Sequence, residues 1–296
     1  MQKNKTTIAI AAAVTVYIFW GFTFMASAIA QEYVTPFILL AYRFVLSALI
    51  LSFPLIIGKK KLNFKGKKLK NLFLLGLLEP CLYFIGEQYG VKYTNSSFSG
   101  IMIALIPIAT LFLAAVVLKE TPTKAQWFFS VLSIAGIIVI TLSESSGGQV
   151  NLLGFLCLLV AVVTGSFYTI VSKKISDEFS VYERTLIMQI MAAVFYTVLS
   201  LIECRENLAA LIEPVKNVDF ILAVLYLAVL GSVLGYSLFN YAIANAPTAR
   251  IVVLCNLTTV ISVLAGVIFL GEPFGIASAI GIIAVLTGIW GVQRFS

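Results

Sequence analysis

Apolar residues run in long blocks broken by short polar interruptions, at about 7–30, 35–57, 70–92, 96–118, 123–142, 150–172, 181–202, 218–243, 248–270 and 274–293. As helix, a block of about 20 residues crosses a hydrocarbon core of about 30 Å. Backbone amides find no water in that core, so each crossing must satisfy its own hydrogen bonds, as a helix does. The strict alternation of a membrane β-barrel is absent. Turn chemistry separates the blocks: Thr35-Pro36, Gly58 ahead of a lysine run, Thr121-Pro122, Gly147-Gly148 and Gly271-Glu272-Pro273. Thr121 before Pro122 predicts an N-cap with proline in the first helical position. The pattern predicts an all-α polytopic membrane protein with ten transmembrane helices.

Composition supports this reading. Of 296 residues, 60% are hydrophobic and 11% charged, whereas a soluble domain carries about a quarter charged residues. Mean hydropathy is +1.04. The net charge of +7 does not point to nucleic acid, because the charges sit in the connections. With Lys3 and Lys5 inside, the inside loops hold Lys59, Lys60, Lys61, Lys65, Lys67, Lys68, Lys70, Lys119, Lys124, Lys173, Lys174, Arg184, Arg250 and Arg294. Outside fall Lys92, Arg205 and Lys216, while Arg43 lies within a helix. This bias predicts a protein of the cytoplasmic (inner) membrane with both termini cytoplasmic. The lysines at 59–70 read as a topology anchor first, and as a contact for anionic lipid headgroups second. The first apolar block has no Ala-x-Ala-like cleavage site before the next helix, so it reads as retained.

The halves resemble each other. A shift of 152 residues carries Tyr89 onto Tyr241, Leu118 onto Leu270, Glu120 onto Glu272 and Gly136 onto Gly288 without a gap. A looser shift of about 144 carries Gly21 onto Gly165. Five helices per half is an odd number, so the second half must be inverted in the membrane. The predicted units are 1–146 and 147–296, two inverted five-helix repeats. Such symmetry suits alternating access, because exchanging the conformations of the halves turns an inward cavity outward.

At this point a family resemblance enters. Trp20-Gly21 in helix 1, Pro36 and Arg43 in helix 2, Tyr93-Thr94 with Ser96-Ser97 before helix 4, Pro107 within it and Glu120 after it resemble the EamA family of the drug/metabolite transporter superfamily. Gly271-Glu272 and Gly288 resemble the same pattern in the second half. The resemblance implies a central cavity lined mainly by helices 1–4 and 6–9, with helices 5 and 10 peripheral. The second half departs from it: Thr259 stands where Pro107 would repeat, and Gln189 or a near neighbour where Arg43 would.

Charges within membrane helices cost at least about 2.5–3.5 kcal/mol each on insertion scales, so they need partners or a wet cavity. Arg43, Glu79 and Glu87 are such residues. Arg43 and Glu87 lie roughly 10–12 Å below the outer surface by helical rise, where an ion pair between them is expected to pin helix 2 to helix 3 or to serve transport. Glu79 falls near mid-depth, and Pro80 beside it weakens the helix and frees carbonyls. Glu79, Tyr83 and Glu87, spaced i, i+4, i+8, share one face, suited to a proton, a cation or an ammonium group. The matching helix 8 positions are Gly231, Gly235 and Phe239, so the acidic stripe exists in one half. A carboxyl at that depth is a candidate proton carrier; the bland alternative is a glutamate bonded to a neighbouring helix.

Tyr17, Trp20, Phe24, Tyr42, Tyr83, Tyr168 and Tyr236 are the aromatics expected at central depth. Such a stripe serves helix packing more often than ligands, though facing a cavity it can hold a quaternary ammonium by cation–π contact. Asn240 and Gln88 align across the repeat, and interhelical bonding is their expected use. Glu120 and Glu272 are expected to cap helices 5 and 10. Pro80 and Pro107 are candidate flex points. The predicted site is thus Glu79, Tyr83, Glu87, Arg43, Trp20, Tyr17, Tyr168, Tyr236 and Asn240.

Histidine is absent, which removes a His-ligated zinc site, haem ligation by His and a Ser-His-Asp triad. The four cysteines show no metal or disulfide spacing. No cofactor and no enzymatic activity are expected, and no phosphate-cradling loop suggests ATP as direct energy source. The function expected is secondary active transport, by export or exchange and with protons as a candidate coupling ion, of a small amphipathic metabolite such as an amino acid or amine. The expected partners are that solute and the bilayer, with the protein a monomer or homodimer. The alternative readings are a lipid or headgroup flippase, or a non-transporting membrane enzyme or receptor.

Overall fold

A computed structural model describes residues 2–93, 102–144, 151–270 and 275–295. Helical stretches account for nearly all of them. They are α1 (Gln2–Gln31), α2 (Pro36–Ile56), α3 (69–93), α4 (Ile106–Leu118), α5 (Lys124–Glu144), α6 (Leu152–Lys174), α7 (Val181–Glu203), α8 (Val218–Asn245), α9 (248–270) and α10 (Ile276–Arg294). Eight are long and apolar enough to cross a membrane, and the described parts of α4 and α5 are shorter apolar helices.

Local chemistry fixes the helix starts. Thr35 is extended and Pro36 opens α2, where the missing N–H costs nothing. Asn151 accepts from the Leu153 amide ahead of α6, and Asn217 accepts from Asp219 and Phe220 ahead of α8. Ser180 and Glu183 form a capping box at α7. The α5 start differs from the expectation by two residues. Thr123, not Thr121, caps it: its hydroxyl accepts from the Gln126 amide, and its own amide donates to Gln126 Oε1 at 2.7 Å. The polar side chain three residues on gives Thr123 the reciprocal bond that Thr121 lacks.

The most extensive helix pairs join the two halves. α1 packs on α8 and α9, α6 packs on α3 and α4, α2 packs on α7, and α5 packs on α10. Exchanging each helix with its counterpart five places on leaves this set unchanged, as an inverted repeat requires. The α5–α10 contact shows it at residue level. A Cβ on Gly136 would stand 2.6 Å from the Gly281 carbonyl oxygen, and one on Gly288 would stand 2.6 Å from that of Phe129. The 152-residue shift carries Gly136 onto Gly288 and Phe129 onto Gly281, so these are one contact seen twice. Ser133 donates to the Val285 carbonyl at 3.4 Å, and the same shift relates those two residues to each other.

Both α3 and α8 are interrupted by wide π-type turns, at Leu77–Leu82 and Leu227–Leu234. In α3 the cause is local. Pro80 has no amide hydrogen, and Glu79 before it takes extended angles, φ −145° and ψ 126°, as a residue preceding proline prefers. The helical face expected to carry Glu79, Tyr83 and Glu87 is therefore broken at its first member.

Candidate functional site

The break in α3 places a carboxyl group between the halves. Glu79 is buried, and its Oε1 accepts from the Tyr236 hydroxyl of α8 at 3.0 Å. Tyr196 of α7 reaches the same turn and donates to the carbonyls of Pro80 and Cys81, at 3.1 and 2.8 Å.

Aromatic rings surround Glu79 on the α1, α6 and α8 sides. Tyr17 and Trp20 meet edge to face at 5.4 Å, Trp20 meets Tyr236 at 5.5 Å, and Tyr168 stacks on Phe239 at 5.7 Å. Trp20 Nε1 donates to the Gly231 carbonyl at 2.9 Å. A Cβ on Gly235 would stand 2.7 Å from that same nitrogen, so the glycine makes room for the indole. On the other side, Gly165 of α6 makes room for the Tyr83 ring, 3.3 Å from where its Cβ would be. Cys255 of α9 lies within electrostatic reach of Glu79, Tyr17 and Tyr83. The structure therefore brings together Glu79, Tyr83, Tyr17, Trp20, Tyr168 and Tyr236 from four helices and both halves. Phe24's side chain lies outside the described residues.

Arg43 and Glu87 sit differently from the expected ion pair, which does not form. Arg43 Nε donates to Ser232 Oγ at 2.7 Å, and its guanidinium lies 5.3 and 5.1 Å from the ring centres of Phe44 and Phe84. Glu87 accepts from Tyr83 at 3.0 Å instead. The wide turn in α8 carries Ser232 to Arg43, and the two rings shield the cation, so Arg43 binds α2 to α8 rather than to the α3 carboxylate.

Asn240 follows the interhelical reading. It is fully buried, accepts from Ser172 at 2.7 Å and Tyr168 at 3.3 Å, and donates to Thr185 at 3.1 Å. Beside it lies Arg184, which sequence reasoning had grouped with the loop charges. Arg184 is 0% exposed; it donates to the Ser172 carbonyl at 2.9 Å and to the Asn240 carbonyl at 2.8 Å. Those carbonyls lie near the C-terminal ends of α6 and α8, where the helix dipole favours a cation. Its position four residues into α7 hid this role, because a charge so near a helix end reads as a loop residue.

Two further expectations change. Glu120 does not cap α5. It accepts from the amide and the hydroxyl of Thr248 at 3.0 and 2.8 Å, capping α9 of the other half. The compact α4–α5 turn, with Lys119 at φ 57°, points the carboxylate across the molecule. Tyr42 is not central: its hydroxyl bonds the Leu211 carbonyl in the connection before α8. Thr94, Ser96, Ser97 and Glu272 lie outside the described residues.

Among the described residues no cluster of three or more potential metal ligands is assembled. The chemistry offered is the Glu79 carboxyl group among phenols, rings and one thiol, with the Glu87 carboxyl behind Tyr83, at the meeting of two inverted halves.

Comparison with known proteins bears on what this arrangement serves. The model of the EamA-like transporter family matches residues 7–142 and again 152–294. The chain is 30% identical over 294 residues to the Bacillus subtilis (strain 168) uncharacterized transporter YcxC, covering 98% of this chain and 94% of that protein. It is 26% identical to an uncharacterized transporter of Archaeoglobus fulgidus, covering 98% and 99% of the two. A further relative is the Escherichia coli (strain K12) uncharacterized inner membrane transporter YedA, at 27% identity over 86% of this chain and 81% of that one. A protein crystal structure superposes with a TM-score of 0.76 at 16% identity over 97% of this chain and 96% of the other, which supports the fold alone. The chain belongs to the EamA-like transporter family, and it is a multi-pass membrane transporter of ten helices in two inverted repeats.

Proposed function

We propose that this protein is a secondary active transporter that moves a small amphipathic solute carrying an ammonium group, an amino acid or amine, by alternating access. The observation that carries the reading is Glu79, a buried carboxyl group at a helix break in one half, bonded by Tyr236 of the other half. A carboxylate beside aromatic faces is the chemistry that recognises a substituted ammonium group. A carboxyl at the contact between halves also gains or loses its partner when the halves exchange conformations, which suits it to carry a proton in place of the cation. Trp20, Tyr17, Tyr168 and Tyr83 form the walls of this site. Arg43, Glu87 and Asn240 hold those walls from behind.

The lysine-rich connections support a protein of the cytoplasmic membrane with both termini in the cytoplasm. The repeat boundary falls at about residues 146–147. The reading is tested with purified protein in liposomes, screened against amino acids, amines and sugars with a proton gradient imposed. Saturable movement of an ammonium-bearing solute is expected. If nothing in the panel moves or binds, or if only neutral sugars do, the proposal is wrong.

A further inference from the structure

A cavity of about 1050 Å³ opens on the lysine-rich face, where the α4–α5 and α8–α9 connections meet the start of α1 and the end of α6. Lys5, Lys119 and Gln126 line it from the first half, and Lys173 and Asn245 from the second. Its lining carboxylate is Glu120, and both oxygens of Glu120 are already engaged by the amide and hydroxyl of Thr248. Lys173 Nζ donates to the Ala246 carbonyl at 2.7 Å, which leaves two of its three protons free for another partner. Asp177 and Glu120 are the carboxylates within electrostatic reach of Lys173, and Arg184 adds further positive charge. Three ammonium groups and one carboxylate therefore share one recess, a set with net positive charge.

We infer that this recess is a binding site for a small oxyanion, a carboxylate or phosphate group. Concave walls of low dielectric concentrate the field of such a charge set. The recess also connects with the centre. Ser172, next to Lys173 in sequence, bonds Asn240, Asn240 bonds Tyr168, and the Tyr168 ring lies 6.2 Å from that of Tyr236 on Glu79. An anion seated between Lys119 and Lys173 touches both halves, so its binding tracks their relative position. Because the recess is lined by connections of both halves rather than by apolar helix surface, a free solute fits it better than a bilayer lipid. The inference stands on the recess alone and does not depend on the role given to Glu79.

The test uses the full-length protein in neutral-lipid nanodiscs at low ionic strength. Inorganic phosphate and acetate are titrated by calorimetry, with chloride as the control anion. Saturable binding is expected, and K119Q should weaken it about tenfold, the scale of one charge-assisted hydrogen bond. K5Q, a second exposed position, guards against a folding defect in the first variant. The triple variant K59Q/K60Q/K61Q removes more charge outside the recess and should leave binding unchanged. Absence of saturable binding, or an equal loss in the triple variant, overturns the site. If the oxyanion bound proves to be a lipid headgroup, retained from anionic vesicles while free phosphate and acetate fail, the assignment to a free solute is overturned. An unchanged affinity for both anions in E79Q would separate this site from the central one.

Discussion

Trp20 shows how single side chains link the two halves. Its indole belongs to α1, yet its nitrogen bonds a carbonyl of α8 and its ring rests where Gly235 has no side chain. G235A should push the indole out of place. A clash of that kind costs about 1–3 kcal/mol, so thermal stability should fall, and solute binding should fall with it in a parallel binding assay. Asn240 makes a contrasting case. Removing its amide in N240A strips partners from Ser172, Tyr168 and Thr185 together, at a cost of about 1–3 kcal/mol. A lowered melting temperature with transport intact in the folded fraction is the expected outcome; loss of transport at unchanged stability would make Asn240 a ligand instead. Residue identity drew attention to Glu79, Arg43, Tyr17, Trp20, Tyr83, Tyr168 and Tyr236 from sequence alone, whereas Tyr42 lies away from them. Partners were harder to read, because Arg43 reaches Ser232 only through the wide turn in α8, which no local signal predicts. Arg184 was missed for the same kind of reason: burial near a helix end depends on how α6 and α8 converge on it.

Between helices, the decisive contacts are close approaches and caps supplied from a distance. α5 and α10 touch backbone to backbone through Gly136, Gly281 and Gly288, the packing that small residues permit where no hydrophobic drive separates helix from lipid. G136A should therefore loosen this pair, by about 1–3 kcal/mol for an added methyl with nowhere to go. G288A should cost about the same, because it breaks the symmetry-related contact; a large difference in melting temperature between the two would contradict the pairing by a shift of 152. Proline, glycine and cap residues placed nearly every helix boundary within a few residues. The Glu120–Thr248 bond was not legible that way. A glutamate just ahead of a helix satisfies the sequence rule for capping that helix, and only the fold shows that another N-terminus lies nearer.

At the scale of the molecule, parity and charge did most of the predicting. Ten apolar blocks, a repeat of five and lysines gathered on one face imply two inverted halves before any coordinate is known. The structure adds how those halves meet: every major helix pair joins one half to the other. Each half buries most of its helix contact surface against the other, so each depends on the other for stability. Expressed alone, residues 1–146 should fail to give a monodisperse, protease-resistant species in detergent, and co-expression with 147–296 should restore one. A stable isolated half would contradict the dependence. The asymmetry between the halves matters equally for function. Glu79 has Gly231 as its counterpart under the repeat shift, so one half supplies the charge and the other the phenol that holds it. The most direct measurement of this account is solute flux in proteoliposomes across a range of internal and external pH, wild type against E79Q. Wild-type flux that follows the proton gradient, with E79Q folded but insensitive to it, is the result predicted; equal flux and equal pH dependence in the two proteins would contradict it.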